Sequence, residues 1–401
     1  MSNTFRFVDV HGFAGGLSLG VQQSGFELVG KKETKGGFGA PNMEANRHIL
    51  GNNWETEVES YENWTPIDAE LVIGNPPCSG FSLLSSKSFR GVNSRANACM
   101  WGITEYAAKI APPIFAFESV QGAFTQGHEL MVDLRARLEE LTGAKYDLTH
   151  VLHSARSMGS PQMRRRYMFV AHRVPFGVEE PQPRELPNVW DAIGDLSGLQ
   201  LQWEAQPYVH DAFSKWAKSK RNKTKVDGHV TLDIPHTRRV KELLATGMWD
   251  QGMDLGKVMR RLDDENIEWP EFYERRHAHF QGNGYNFGFT QPYRLRADYV
   301  CPVITGGGLD LLIHPTEDRN ITHREVARLM GYPDNWKIEP LRDYKALRLT
   351  WGKGVTVDVG RYFGEWLYKS LDGTPGTYTG ELIGDRERLI NVTQTWKKFE
   401  E

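Results

Sequence analysis

FRFVDVHGFAGGLSLGVQQSGFELVG, residues 5–30, decides how the rest of the chain is read. Phe5–Val10 is a short apolar run leading into a glycine-rich turn, His11–Gly16; Leu17–Ser24 has helical spacing and Phe26–Gly30 is a second strand-like run. Strand, turn, helix and strand in that order predict the opening of a doubly wound nucleotide-type sheet, with glycines that let the backbone approach a ligand. Glu33 falls just after the second run, where a carboxylate can accept both hydroxyls of a ribose. Taken alone, a tight turn followed by a solvated glutamate explains the same residues equally well.

Outward from this unit the alternation continues. Glu70–Gly74, Pro113–Glu118 and Arg166–Ala171 are strand-like, and Leu130–Leu141 has helical spacing. Strands alternating with helices argue for an α/β class with a largely parallel sheet. After about Val174, Pro175, Pro181 and Pro183 mark a loop, and Gln200–Phe289 shows no βα alternation but is rich in Lys, Arg, His, Trp and Tyr. Thr322–Met330 is a predicted helix with a Thr322/Glu325 capping box, and Val355–Leu367 a final one. The division expected is 1–190, a smaller domain at 191–292, and 293–401 returning to the first.

With 401 residues, 39% hydrophobic and 25% charged, the composition is that of a globular protein. No apolar run approaches a membrane span of roughly 20 residues, and Met1–Arg6 lacks a signal pattern, so a cytoplasmic location is expected. The three cysteines, Cys78, Cys99 and Cys301, have neither disulfide-framework nor zinc-ligand spacing, and no metal is expected. The net charge of −3 does not exclude a nucleic-acid partner, because the local field at a binding face decides.

Three further stretches carry chemistry. In Asn75-Pro76-Pro77-Cys78-Ser79-Gly80-Phe81-Ser82 a strand runs into two prolines and a thiol. The prolines fix φ at the carboxyl edge of the sheet, where a thiol can attack an electron-poor carbon; a buried structural cysteine is the bland alternative. In Phe117-Glu118-Ser119-Val120 a carboxylate ends an apolar strand, where desolvation raises its pKa and lets it carry a proton. In Gly159-Ser160-Pro161-Gln162-Met163-Arg164-Arg165-Arg166, strand alternation sends Arg164 and Arg166 to one face and Arg165 to the other.

Together, and in this order, these stretches resemble the cytosine-C5 DNA methyltransferases. The glycine-rich turn is similar to their first motif, Cys78 and its neighbours to their nucleophile loop, Glu118-Ser119-Val120 to their Glu-Asn-Val, and Gln162-Met163-Arg164-Arg165-Arg166 to their Gln-x-Arg-x-Arg. Thr322–Trp336 resembles the motif after the recognition domain, and Gly352-Lys353-Gly354-Val355 the last motif. The resemblance implies a Rossmann-like S-adenosylmethionine-dependent fold with a target-recognition domain. It implies attack by Cys78 on a flipped cytosine, with Glu118 at N3, Arg164 at the base carbonyl and Arg166 in support. The cofactor would be held by His11, Gly12, Phe13, Gly15, Gly16, Leu17, Glu33, Thr34, Asn75, Pro77, Lys353 and Val355, with Glu57 as an acid near the adenine. Double-stranded DNA would be met by Ser82, Gln162 and a basic run containing Lys220 and Arg221, the protein acting as a monomer.

The chain departs from the family at several positions. The usual Phe-x-Gly-x-Gly becomes His11-Gly12-Phe13-Ala14-Gly15, the Gln after the nucleophile is Ser79, the Asn of Glu-Asn-Val is Ser119, and the Asn of the last motif is Lys353. The resemblance places Lys353 beside the transferred carbon. An ammonium there repels a sulfonium but would pair with an anionic substituent, as in carboxy-S-adenosylmethionine, which would yield 5-carboxymethylcytosine. Lys353 facing solvent or pairing with Asp358 is the plain alternative. Three rival readings stay open: an amino-methyltransferase, since Asn-Pro-Pro also opens their loop although Cys78 replaces the stacking aromatic; an RNA cytosine-C5 enzyme; and an inactive DNA-binding homologue.

Overall fold

The computed structural model describes residues 4–37, 39–82, 85, 88, 90–179, 186–198, 235–286, 291–305, 311–337 and 350–393. They fall into two compact units, Met1–Leu186 with Gly354–Glu401, and Pro187–Lys353. The chain thus returns to the first unit at Gly354, and residues 293–353, grouped from sequence with the returning segment, belong to the second.

In chain order the strands are β1 (Arg6–Val10), β2 (Glu27–Glu33), β3 (Glu55–Val58), β4 (Leu71–Gly74), β5 (Ile114–Ser119), β6 (Asp147–Ser154), β7 (Arg165–His172), the two-residue pair β8 (Tyr293–Arg294) and β9 (Leu312–Ile313) of the second unit, β10 (Glu381–Gly384) and β11 (Glu387–Asn391). The first unit is built on a sheet of order β10-β11-β6-β7-β5-β4-β1-β2-β3. Neighbours are parallel except that β7 is antiparallel to β5 and β6, and β10 to β11. This is the Rossmann-like α/β architecture expected. Strand β2 extends to Glu33, so Glu33 ends the strand instead of following it.

The central strands are apolar along their length because helices cover both faces: Leu71, Val72 and Ile73 of β4 and Ile114–Phe117 of β5 are wholly buried. On one face, helices α1 (Gly16–Gln23) and α4 (Val357–Leu371) pack on each other. On the other, α2 (Ala98–Ile110) and α3 (His128–Thr142) lay Met100, Ile103, Tyr106, Leu134 and Leu138 against Phe115, Phe117 and Phe169. The α1–α4 contact depends on glycine: a Cβ at Gly20 would lie 2.3 Å from the Val357 carbonyl oxygen and from the Arg361 amide nitrogen.

The second unit has its own core, formed by Leu243, Trp249, Val258, Met259, Leu262, Trp269 and Ile313. Its helix His323–Leu329 starts with the expected capping box, in which Thr322 and Glu325 satisfy each other's backbone amides. The basic run with Lys220 and Arg221 lies outside the described residues. Among the described residues no helix is long and apolar enough to cross a membrane.

Substituting Gly20→Ala forces α1 and α4 apart. The expected cost is about 1–3 kcal/mol, the scale of overpacking, read as a lower urea midpoint with an unchanged slope.

Candidate active site

The carboxyl ends of parallel strands β1, β2, β4 and β5 lie along one edge of the sheet, and antiparallel β7 begins at that edge. Cys78 and Glu118 follow or end strands there, and Arg164 and Arg166 enter it from the opposite strand direction. Glu118 is 1% exposed. Its Oε2 accepts a hydrogen bond from Asn75 Nδ2 at 2.6 Å, and its Oε1 lies 3.2 Å from Arg166 Nε. Burial raises the carboxyl pKa to about 7 against the opposing charges of Arg166 and Arg164. The group is therefore poised to hold or release a proton near neutrality.

Cys78 is half-buried, whereas Cys99 and Cys301 are buried. Its thiol pKa is raised, first by burial and then by the Glu118 charge, while Arg166, the Val120 amide and Arg164 oppose the rise. Thiolate and carboxylate disfavour each other, so a protonated Glu118 eases formation of the Cys78 thiolate. The loop is fixed from beneath. Cys99 donates its S–H to the Pro77 carbonyl at 3.1 Å. The Phe81 amide donates to the Cys78 carbonyl at 3.1 Å. The Phe81 ring abuts Gly127, where an added Cβ would come within 2.5 Å of it.

The glycine-rich turn holds a second cluster. His11, Phe13 and Gly15 have positive φ of 59°, 44° and 88°, a tight path closed by a hydrogen bond from Gly15 N to the Gly12 carbonyl at 2.7 Å. Glu33, 2% exposed, contacts His11 Nδ1 at 2.6 Å and accepts from the amides of Thr34 and Gly39 at 3.0 and 3.2 Å. Burial pushes its pKa up, but Lys31, His11 and the Thr34 amide outweigh burial and hold it near 2. Lys31 is itself wholly buried, 2.7 Å from Asp9, and His11 Nε2 meets the Tyr61 hydroxyl at 3.0 Å.

A profile of C-5 cytosine-specific DNA methylases matches residues 5–369. The chain belongs to this family. The type II methyltransferase M.XorII of Xanthomonas oryzae pv. oryzae is 24% identical over 97% of this chain and 90% of its own length. M.DdeI of Desulfomicrobium norvegicum is 24% identical over 72% and 68%. The same fold is found in a structure assigned as a prophage-encoded DNA modification methyltransferase (E. coli; TM-score 0.57, 20% identity, 92% of this chain and 100% of that one). It also occurs in the Entamoeba histolytica methyltransferase EhMeth (TM-score 0.53, 12% identity, 92% and 99%).

Family membership implies S-adenosylmethionine, and the residues present fit such a group. Glu33 is a buried carboxylate with acceptor capacity left beyond its present partners. A Cβ at Gly37 or Gly39 would strike it, at 2.3 and 2.8 Å. Asn75 Oδ1, buried at the end of β4, has no hydrogen-bond partner among the described residues.

Of the residues named from sequence, the structure gathers Asn75, Cys78, Glu118, Arg164 and Arg166 at one place, and His11 and Glu33, with Thr34, at another on the same edge. Gly12, Phe13, Gly16 and Leu17 line the buried turn, and Val355 is buried. Pro77 and Ser82 are half-buried, and Gln162 is wholly buried. Glu57 is not brought to Glu33: it pairs with Lys32 at 2.5 Å and accepts from the Thr65 amide at 2.9 Å. Lys32 and Glu33, being consecutive in β2, point to opposite faces. Lys353 is exposed and belongs to the second unit.

Sequence reasoning missed Tyr61, Lys31, Cys99 and His153. His153 faces Arg166 across β6 and β7 and is held to a pKa of about 3 by burial and by both arginines. Only its position opposite the Arg-x-Arg strand could have pointed to it.

The Glu118 shift has a signed consequence for stability. Its folded pKa, about 7, exceeds the ordinary 4.5, so the folded state binds the extra proton between those values and stability falls as pH rises through that window. Glu118→Gln removes the burden. Above pH 7 it should be more stable than wild type by on the order of 2–3 kcal/mol, with little difference below pH 4.5, as read by urea unfolding at several pH values.

Proposed function

We propose that this chain methylates C5 of a cytosine in double-stranded DNA through a covalent adduct between Cys78 and C6 of the base. Cytosine-5 methylation of DNA is the activity of the family to which the chain belongs, and M.XorII and M.DdeI are type II methyltransferases. The observation that carries the reading is the convergence of a half-buried thiol, a proton-holding carboxyl and two arginines at one sheet edge.

In this reading the base is flipped out of the duplex, at a cost of a few kcal/mol. The Cys78 thiolate adds to C6, and the ring electrons move toward N3, where Glu118 delivers its proton. Asn75 and Arg166 hold that carboxyl, and Arg164 meets the base carbonyl. C5 is then an enamine carbon. S-adenosylmethionine, when bound, supplies the electrophilic methyl that C5 accepts. Loss of the C5 proton to water, departure of Cys78 sulfur from C6 and return of the N3 proton to Glu118 restore the neutral aromatic ring. His11, Glu33 and the turn from Gly12 to Leu17 bind the cofactor, and the second unit, with the basic run around Lys220 and Arg221, recognises DNA. The protein acts as a monomer in the cytoplasm, in a restriction–modification or related setting.

A second reading rests on Lys353. Replacement of the family's Asn by an ammonium favours a cofactor bearing a carboxylate on the transferred carbon, hence carboxymethylation from carboxy-S-adenosylmethionine.

Duplex DNA containing 5-fluorocytosine should trap the wild type as a complex resistant to denaturation, because the C5 fluorine cannot leave as a proton does. Cys78→Ser should trap nothing, and Glu118→Gln should lower turnover on ordinary DNA by roughly 100-fold or more. A wild type that modifies DNA without being trapped overturns the covalent route; preference for transfer RNA over duplex DNA overturns the DNA assignment. Nucleoside mass spectrometry with both cofactors present should yield 5-methylcytosine. A carboxymethyl product lost in Lys353→Asn would establish the second reading instead.

A further inference from the structure

On the sheet face opposite Glu118 lies a cluster that the proposed chemistry does not use. His128 is the first residue of α3, His150 lies on β6 and Glu387 begins β11. One ligand atom from each lies within 4.8 Å of the others. His150 Nε2 is 2.6 Å from Glu387 Oε1, and His128 Nε2 contacts the same oxygen. The two rings stand 5.3 Å apart at 44°. His150 and Glu387 are buried, whereas the His128 side chain is 43% exposed.

We propose that His128, His150 and Glu387 bind a divalent transition metal of the zinc class. Two imidazoles and one carboxylate form a common ligand set for such ions, with a fourth position left for water. Here the half-exposed His128 opens that position to solvent. The outer contacts also fit. His150 Nδ1 is 2.7 Å from the Tyr167 hydroxyl, which can donate to Nδ1 while Nε2–H meets Glu387 and can turn to accept from Nδ1–H once Nε2 gives its lone pair to a metal, the partner that the second ring nitrogen of a metal-bound histidine takes. A metal about 2.0–2.1 Å from each atom separates ligand pairs by about 3.3 Å, so a small opening of the contacts, led by the His128 rotamer, admits the ion.

The placement gives the ion a task. Strand β11 pairs parallel with β6, and both C-terminal strands lie beyond residue 369, where the family match stops. An ion held by β6, β11 and the start of α3 would clamp this edge to the rest of the sheet. The site is independent of the reaction proposed above.

The test uses the full chain without a histidine tag, stripped with chelator and titrated with Co2+. Wild type should develop a visible ligand-field band that saturates at one ion per chain and is displaced by Zn2+. Zn2+ should also raise the melting temperature. His128→Asn, chosen because the side chain is partly exposed and the fold should survive, and Glu387→Gln should lose both responses while keeping the wild-type circular dichroism spectrum. Absence of the band in wild type overturns the proposal, as does a band or a zinc-dependent melting shift of equal size in a folded His128→Asn.

Discussion

The carboxyl of Glu118, buried with one fixed donor and one nearby guanidinium, is the constraint around which the sheet edge carrying Cys78 is arranged. A carboxylate removed from water must be neutralised, paired or protonated. Asn75 and Arg166 compensate only in part, and the shortfall leaves a group that titrates near neutrality. A closer second cation would keep the carboxylate ionised; a wholly apolar setting would keep it neutral. The intermediate setting follows from topology, because β7 runs against its neighbours and brings Arg166 to the carboxyl end of β5. The same edge brings the Cys78 thiol under the influence of the Glu118 charge, so the two groups share one protonation problem.

The two faces of the sheet divide labour by strand alternation. Asp9, Lys31 and Glu33 stand on the face that carries α1 and α4, and so do Glu118, Arg166 and His153. Lys32 and Glu57 stand on the other, beside Tyr106. A one-residue register shift in β2 would exchange Glu33 for Lys32 beside the glycine-rich turn. The buried Lys31–Asp9 pair helps to specify the register: neither group tolerates the interior without the other, and Asp9 lies directly beneath Gly12, where a Cβ would be 2.5 Å from its Oδ2.

Much of this was legible in sequence because it rests on local grammar. The glycine-rich turn, the Pro-Pro-Cys loop and the acid at a strand end each announce themselves by spacing, and the structure puts them on one edge because parallel strands align their carboxyl ends. The residues missed depend on partners distant in the chain. Tyr61 matters through His11, fifty residues earlier, and His153 through its cross-strand neighbour Arg166. Cys99 drew no separate reading from sequence; it packs in the core, and its S–H also holds the loop that carries Cys78. Glu57 pairs with Lys32 on the face opposite Glu33, and sequence proximity to β2 does not reveal which face a side chain on β3 takes. The C-terminal pair β10–β11 went unread because both strands are short and β10 is mostly exposed, with Leu382 at 66%, so their alternation carries little apolar signal.

That hairpin bears on how the sheet ends. Without β11, the backbone of β6 would offer an open row of donors and acceptors, an invitation to pair with another chain. Five residues of β11 close that row in parallel register, and β10 then meets solvent as a short edge beside the charged residues Glu381, Asp385, Arg386 and Glu387. So short a strand gains little from its own ladder and depends on side-chain anchors: Arg386 to Glu139 of α3 at 2.6 Å and Glu387 to the two histidines. The opposite faces of β6 thus hold two histidines in different circumstances. His153 is kept neutral among Arg164 and Arg166, and His150 is kept neutral against a carboxylate that fastens the border of the sheet. Burial acts on both rings in the same direction, and the charge of the neighbouring group decides what each one does.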